Sequence, residues 1–151
     1  MKDSDNKIET LYNLCRQKQL KITPQRVEVY KALMASDEHP SAEAVYRNVK
    51  KNLPNISLDT VNRTLNTLSL IGAAFVVEGS GDVKRFDGNL ENHQHFKCVK
   101  CKKIFDFQHN ELENIKVPEE LGHKFKILRA TVYIEGLCPS CLEKENKIQS
   151  D

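Results

Sequence analysis

Five cysteines and five histidines are spread unevenly along this 151-residue chain. Four of the cysteines, Cys98, Cys101, Cys138 and Cys141, fall into two Cys-x-x-Cys pairs. Each such turn can place two thiolates on one ion, and two turns complete a tetrahedral all-sulfur set that selects zinc. With no open coordination position, the expected role is structural, one Zn2+ per chain. A redox dithiol is the competing reading, and the second pair at the same spacing favours zinc. Zinc-finger peptides gain roughly 10–16 kcal/mol from such binding, enough to hold together a small domain with a thin core.

A second set is less conspicuous. His93 and His95 are two apart, so on a strand both imidazoles face one way. Asp87 precedes them, Asp106 lies on what reads as the neighbouring strand, and His39 sits in an earlier loop that could approach if the two halves fold together. A lone surface histidine usually has no function, and a pair beside a zinc turn is a better signal. His95 could also be drawn towards the cysteines, but that set is already full.

These side chains need elements to carry them. Lys7 to Gln19 shows the apolar stripe of an amphipathic helix at Ile8, Leu11, Leu14 and Cys15, where Cys15 reads as a buried structural thiol. Thr23 before Pro24 marks a helix start, and Val27, Val29, Tyr30, Leu33 and Met34 give that helix a broad apolar face. After the Ser36–Pro40 loop, Ser41 caps a third helix with Val45, Tyr46 and Val49 inward. Ser57 caps a fourth, with Leu58, Val61, Leu65, Leu68 and Ile71 on one side and Gly72 past its end. Its other side is short and polar, and Ser57, Thr60, Asn62, Arg63 and Asn66, with Arg26 on the second helix, are the candidate DNA contacts. Ala73–Glu78 and Val83–Phe86, joined by Gly79–Asp82, read as a hairpin, so the first half is a winged helix-turn-helix. Three-helix packing alone would give a similar helical pattern.

Beyond Asn92, short strands at 95–98 and 103–107 flank the first cysteine turn. A helix is expected over Glu111–Leu121, a longer strand over Lys124–Glu135, and a polar tail, frayed or disordered, after the second turn. The fold class is therefore α+β: an N-terminal winged helix-turn-helix domain and a small α/β dimerisation domain with a four-cysteine zinc site. The expected boundaries are 1–86 for DNA binding, a hinge near 84–92, 93–141 for metal binding and dimerisation, and 142–151 for the tail.

Bulk composition decides little. Net charge is +2, and through Asp87 there are 13 Lys/Arg against 11 Asp/Glu, then 10 against 10. No apolar run reaches membrane-spanning length and the first residues lack a signal-peptide core, so a cytoplasmic protein without membrane partners is expected. In a reducing compartment, paired cysteines are more often metal ligands than disulfides.

Together these residues resemble the ferric uptake regulator (Fur) family of bacterial metal-dependent repressors. The resemblance spans Lys7 to Cys141 and rests on Ile22-Thr23-Pro24-Gln25-Arg26, His39-Pro40-Ser41-Ala42, Ser57-x-x-Thr60-Val61, Arg85-Phe86-Asp87, His93-x-His95-x-x-Cys98-x-x-Cys101 and the last Cys-x-x-Cys. Within the family the chain is most similar to the peroxide-sensing PerR branch, whose three-histidine, two-aspartate regulatory site matches His39, Asp87, His93, His95 and Asp106. The iron-sensing branch typically has glutamates at the two aspartate positions. A further family metal site has no counterpart here, because Asn92, Gln94 and Arg129 stand at its positions. The usual tyrosine of the recognition helix is replaced by Asn62, which puts a family-consensus operator in doubt.

The resemblance implies a homodimeric repressor of a palindromic double-stranded operator, with no small-molecule substrate apart from peroxide. Three imidazoles and two carboxylates suit Fe2+ or Mn2+, one per chain. By resemblance, iron-catalysed oxidation of His39 or His93 releases the DNA. A repressor that senses iron or manganese availability and is insensitive to peroxide is the alternative. A non-haem iron enzyme is the reading from another class, and it lacks any substrate-pocket signal.

Overall fold

A hydroxyl opens each of three successive helices. Thr23, Ser41 and Ser57 adopt extended backbone and accept from the backbone N–H three residues on, at 3.2 Å from Arg26, 3.2 Å from Ala44 and 3.1 Å from Thr60. Each bond satisfies one of the otherwise orphaned N–H groups of a helix start. The helices are α2 (Pro24–Met34), α3 (Ala42–Val49) and α4 (Leu58–Leu70), preceded by α1 (Lys2–Gln17). Gly72, past the end of α4, takes φ 81°, a backbone conformation that side chains disfavour.

The computed structural model describes residues 2–78, 81 and 83–150. They form two units, Met1–Leu90 and Glu91–Asp151. The first is built on the apolar faces of its helices. Leu11, Cys15, Val29, Tyr30, Leu33, Val45, Val49, Val61, Leu65 and Leu68 converge in one core, which Phe86 enters from the strands. Those strands, β1 (Phe75–Val76) and β2 (Phe86–Asp87), pair antiparallel with Val76 opposite Phe86. The hairpin is shorter than expected. Three residues of its expected turn, Gly79, Ser80 and Asp82, lie outside the described residues.

The second unit is a three-stranded sheet in the order β4 (Ile104–Phe107), β3 (Gln94–Cys98), β5 (Tyr133–Gly136). The β3–β4 pair is antiparallel and the β3–β5 pair parallel. Phe105, Phe96 and Ile134 stand in one row across the sheet, and His95 stands opposite Asp106 and Tyr133 in the next. Side chains alternate along β3, so Phe96 and Cys98 take one face and His95 and Lys97 the other. α5 (Asn110–Glu113), α6 (Glu119–Lys124) and α7 (Pro139–Gln149) complete the unit.

Several expectations need correction. The first helix starts at Lys2 rather than Lys7. The expected helix over Glu111–Leu121 is two short ones, since Pro118 lacks the N–H needed to continue a helix. The strand expected over Lys124–Glu135 is confined to Tyr133–Gly136. Residues 125–132 have apolar side chains but no ladder partner, and Phe125 and Leu128 are 60% and 85% exposed. Alternation marks a capacity for pairing, and pairing needs a neighbour. The tail is helical through Gln149 in α7. No helix among the described residues is long and apolar enough to cross a membrane.

Candidate metal centres and nucleic-acid interface

The four cysteines lie at and just beyond the paired C-terminal ends of the parallel strands β3 and β5. Cys98 closes β3, and the chain turns tightly after it. Lys102 takes φ 65° there and returns its N–H to the Cys98 carbonyl at 2.9 Å. A bond from the Val99 N–H to the Gly136 carbonyl at 2.9 Å ties this turn to the strand that leads into the second pair. Cys138 then caps α7, with Pro139 at its first position and Cys141 in its first turn.

All four sulfur atoms lie within 4.8 Å of one another, and Cys101 Sγ and Cys138 Sγ are 3.8 Å apart. Zinc–sulfur bonds of about 2.3 Å in a tetrahedron require a sulfur–sulfur edge of about 3.8 Å. The donors therefore fit zinc in type, number and spacing. Hydrogen bonding, chiefly from the Cys101 backbone, draws the Cys98 thiol down to about 6, while burial above all pushes Cys141 up to about 12. Zinc entry must displace the protons that remain. Zinc bound there would supply a cross-link between the turn after β3 and the start of α7 after β5.

The histidines and aspartates form two groups, one in each unit. In the first unit, the His39–Ser41 segment is stitched to β2. The Phe86 N–H donates to the Pro40 carbonyl at 2.9 Å, Arg85 Nε donates to the His39 carbonyl, and Ser41 bridges Arg85. This lays His39 beside Asp87, with Nε2 3.4 Å from Oδ2, both side chains buried. The other Asp87 oxygen accepts from the Asn89 N–H at 2.8 Å, which orients the carboxylate. Gly88 lets the chain pass close over α2, since a Cβ there would lie 2.6 Å from Met34 Sδ.

In the second unit, His93 Nε2 and His95 Nε2 are 3.1 Å apart, and Asp106 Oδ1 lies 3.6 Å from the first and 3.3 Å from the second. His93 Nδ1 is 2.7 Å from the Glu91 carbonyl. A proton held in that bond puts the lone pair on Nε2, the ring atom a metal would bind. Two imidazole nitrogens aimed at one carboxylate oxygen suit a shared cation. Arg85, Asn89 and Glu91 position these donors, and the sequence alone assigns them no role. Arg85 belongs to the Arg85-Phe86-Asp87 motif; the other two act through backbone groups that residue identity does not reveal.

On α4, Asn62 and Arg63 are exposed and Thr60 and Asn66 partly so. Arg63 Nε pairs with Asp59 Oδ2 at 3.0 Å, and Ser57 Oγ lies 2.9 Å from Thr60 Oγ1. Asn62 and Asn66 line a groove of about 590 Å³ with Ser41, Leu58, Val83 and Lys84. Arg26, on α2, is half-buried and donates to the Lys21 carbonyl, so it belongs to a different surface element from the α4 candidates.

Comparison with known proteins places this arrangement. The sequence profile of the ferric uptake regulator family matches residues 17–135. The peroxide-responsive repressor PerR of Staphylococcus epidermidis is 31% identical over 142 residues, covering 94% of this chain and 95% of that protein. The Helicobacter pylori ferric uptake regulator, described as having three functional metal-binding sites, superposes with TM-score 0.72 at 27% identity, covering 91% of this chain and 93% of that one. PerR from Streptococcus pyogenes superposes with TM-score 0.50 at 32% identity, covering 88% and 91%.

Proposed function

Because the chain belongs to the ferric uptake regulator family, whose members are transcription regulators and not enzymes, we propose that it is a cytoplasmic, metal-dependent repressor that senses peroxide. The observation that carries this reading is the convergence of His93, His95 and Asp106 on one point, with His39 and Asp87 paired in the other unit. Five residues separate Asp87 from His93, so the chain keeps the two groups within about 20 Å at full extension. One Fe2+ or Mn2+ per chain, held by all five side chains, would hold the DNA-binding unit to the second unit. Metal then favours the DNA-competent posture by its differential affinity for it.

The residues divide the work. Arg85 and the Pro40–Phe86 bond hold His39 on Asp87, and the Glu91 carbonyl holds the His93 tautomer. Ferrous iron bound there would supply catalysis of O–O bond cleavage, the two electrons of the net reaction coming from the imidazole that is oxidised. In the net reaction one peroxide oxygen ends on an imidazole carbon of His39 or His93 and the other leaves as water. An oxidised imidazole ligates poorly, so the two units uncouple and the operator is released. Asn92 and Gln94 are engaged with the Glu113 carbonyl and the His109 N–H, which supports two metals per chain, the zinc included.

A homodimer on a palindromic double-stranded operator completes the reading. β5 is an edge strand, and Phe105, Ile134, Phe125 and Leu128 are substantially exposed, the kind of surface a second copy would cover.

The experiment loads the protein with Fe2+ or Mn2+, adds peroxide, maps added oxygen by peptide mass and measures DNA binding. Oxidised His39 or His93 with loss of DNA binding in the iron form alone is expected. Unmodified histidines with DNA binding retained in the iron form would leave a repressor of iron or manganese availability. That second reading is favoured by the better superposition on the H. pylori iron regulator.

A further inference from the structure

The outward face of α4 carries more polar side chains than it has free hydrogen-bonding groups. Ser57 Oγ accepts from the Thr60 N–H and contacts the Thr60 hydroxyl. Thr64 and Thr67 donate to the carbonyls of Thr60 and Arg63, four residues back, at 2.7 and 3.0 Å. Arg63 and Asp59 pair with each other. Asn62 and Asn66 remain, and among the described residues their amides have no hydrogen-bond partner. Spaced i, i+4, they lie on one face of the helix. Both line the groove that Lys84 and Val83 border from the strand side.

A planar amide offers one acceptor and a donor pair, which matches the N6/N7 edge of adenine in the major groove and no other base edge as well. We propose that Asn62 and Asn66 form an adenine-reading pair, each making a bidentate contact to one adenine of the operator half-site. The inference rests on the DNA-binding reading above and adds its base specificity. Four residues of α-helix rise about 6 Å, which is close to two base steps of about 3.4 Å each. The two adenines therefore lie about two steps apart. Lys84 at the groove margin suits the flanking phosphate, and the Val83 and Leu58 side chains, 60% and 43% exposed, suit a thymine methyl. Arg63, released from an exposed pair that contributes little in water, serves as a phosphate contact that positions the amides.

The test uses the full chain with zinc and Mn2+, selection from random-sequence duplex DNA, and titration of the selected duplex and its single-base variants. Two A·T positions per half-site are expected at which a change to G·C weakens wild-type binding on the order of 10- to 100-fold. Asn62→Ala should lose discrimination at one and Asn66→Ala at the other, with thermal melting unchanged. Arg63→Ala should weaken binding to all duplexes alike. Discrimination kept at both positions by the two alanine variants overturns the amide assignment and leaves the repressor reading standing. Equal loss on every duplex also overturns it, since the amides then contact only the backbone. Failure of metal-loaded wild type to bind any duplex removes the repressor reading, and this assignment with it.

Discussion

The two units hold themselves together by different means. Among the described residues, unit Met1–Leu90 has a core of fifteen buried residues, nearly all aliphatic or aromatic, drawn from four helices, a strand and the segments flanking α4. In Glu91–Asp151 the buried apolar cluster consists of Cys98, Cys138 and Cys141, with Phe96 and Leu137 partly buried against it. A domain of such size is marginal by burial alone, and one with so thin an apolar cluster gains from a metal or a partner. The contrast separates stability from sensing. The first unit folds by burial; under the proposed function the second would fold by coordination of zinc, and a regulatory metal at the histidine–carboxylate donors would exchange without unfolding either unit.

Perturbations that act on one side alone should break this contrast apart. The largest effect is expected from Cys138→Ser, which removes a donor from a site whose zinc is worth roughly 10–16 kcal/mol in peptide analogues. Amide dispersion should collapse for residues 91–150 and persist for the helices α1–α4. A folded second unit without bound zinc would end the argument. Leu65→Ala should destabilise the first unit by about 2–5 kcal/mol, read by denaturant unfolding, with zinc content unchanged. Asp106→Ala leaves both folding devices intact. Mn2+ affinity, followed by calorimetry on zinc-loaded protein, should fall by more than the 10- to 100-fold typical of losing an outer partner of a metal ligand. Equal loss of zinc would show that the two sites are not separable.

The smallest effect is a change of slope. Zinc requires thiolates, so its affinity rises with pH wherever a ligand thiol is still protonated. Cys98, drawn down to about 6, is already a thiolate at neutral pH and adds nothing there. Below about 6 it is protonated too, and the logarithm of affinity should fall with one additional unit of slope. Cys141, pushed up to about 12, contributes its unit across the whole neutral range. Competition titrations with a chelator between pH 5 and 8 would detect the break, and a constant slope would refute the ordering of the thiols.

How much of this was legible in sequence differs between elements for physical reasons. The caps at Thr23, Ser41 and Ser57 were legible because capping is a contact over three residues. The alternation of His93 and His95 against Cys98 was legible because strand parity is local. The extent of β5 was not, since residues 125–132 have the composition of a strand but no neighbour to pair with. The seating of His39 on Asp87 was beyond a local reading. It depends on Arg85 reaching a carbonyl 46 residues earlier, a contact that spacing cannot announce. The family resemblance pointed to those two residues, and the fold supplies the reason they meet.

The separation of the two cysteine pairs has a consequence for synthesis. Cys101 and Cys138 are 37 positions apart, and closing a loop of that length costs about 3 kcal/mol in chain entropy before any constant term. During translation the first pair emerges long before the second, as a two-thiol site that holds metal weakly. The helical unit, whose contacts are nearer in sequence and already complete, can fold meanwhile. If zinc fills the four-cysteine site, arrival of Cys138 and Cys141 would let it close the loop and fix β5 beside β3 in one event, so zinc availability at that moment would set how fast a nascent chain completes its second unit.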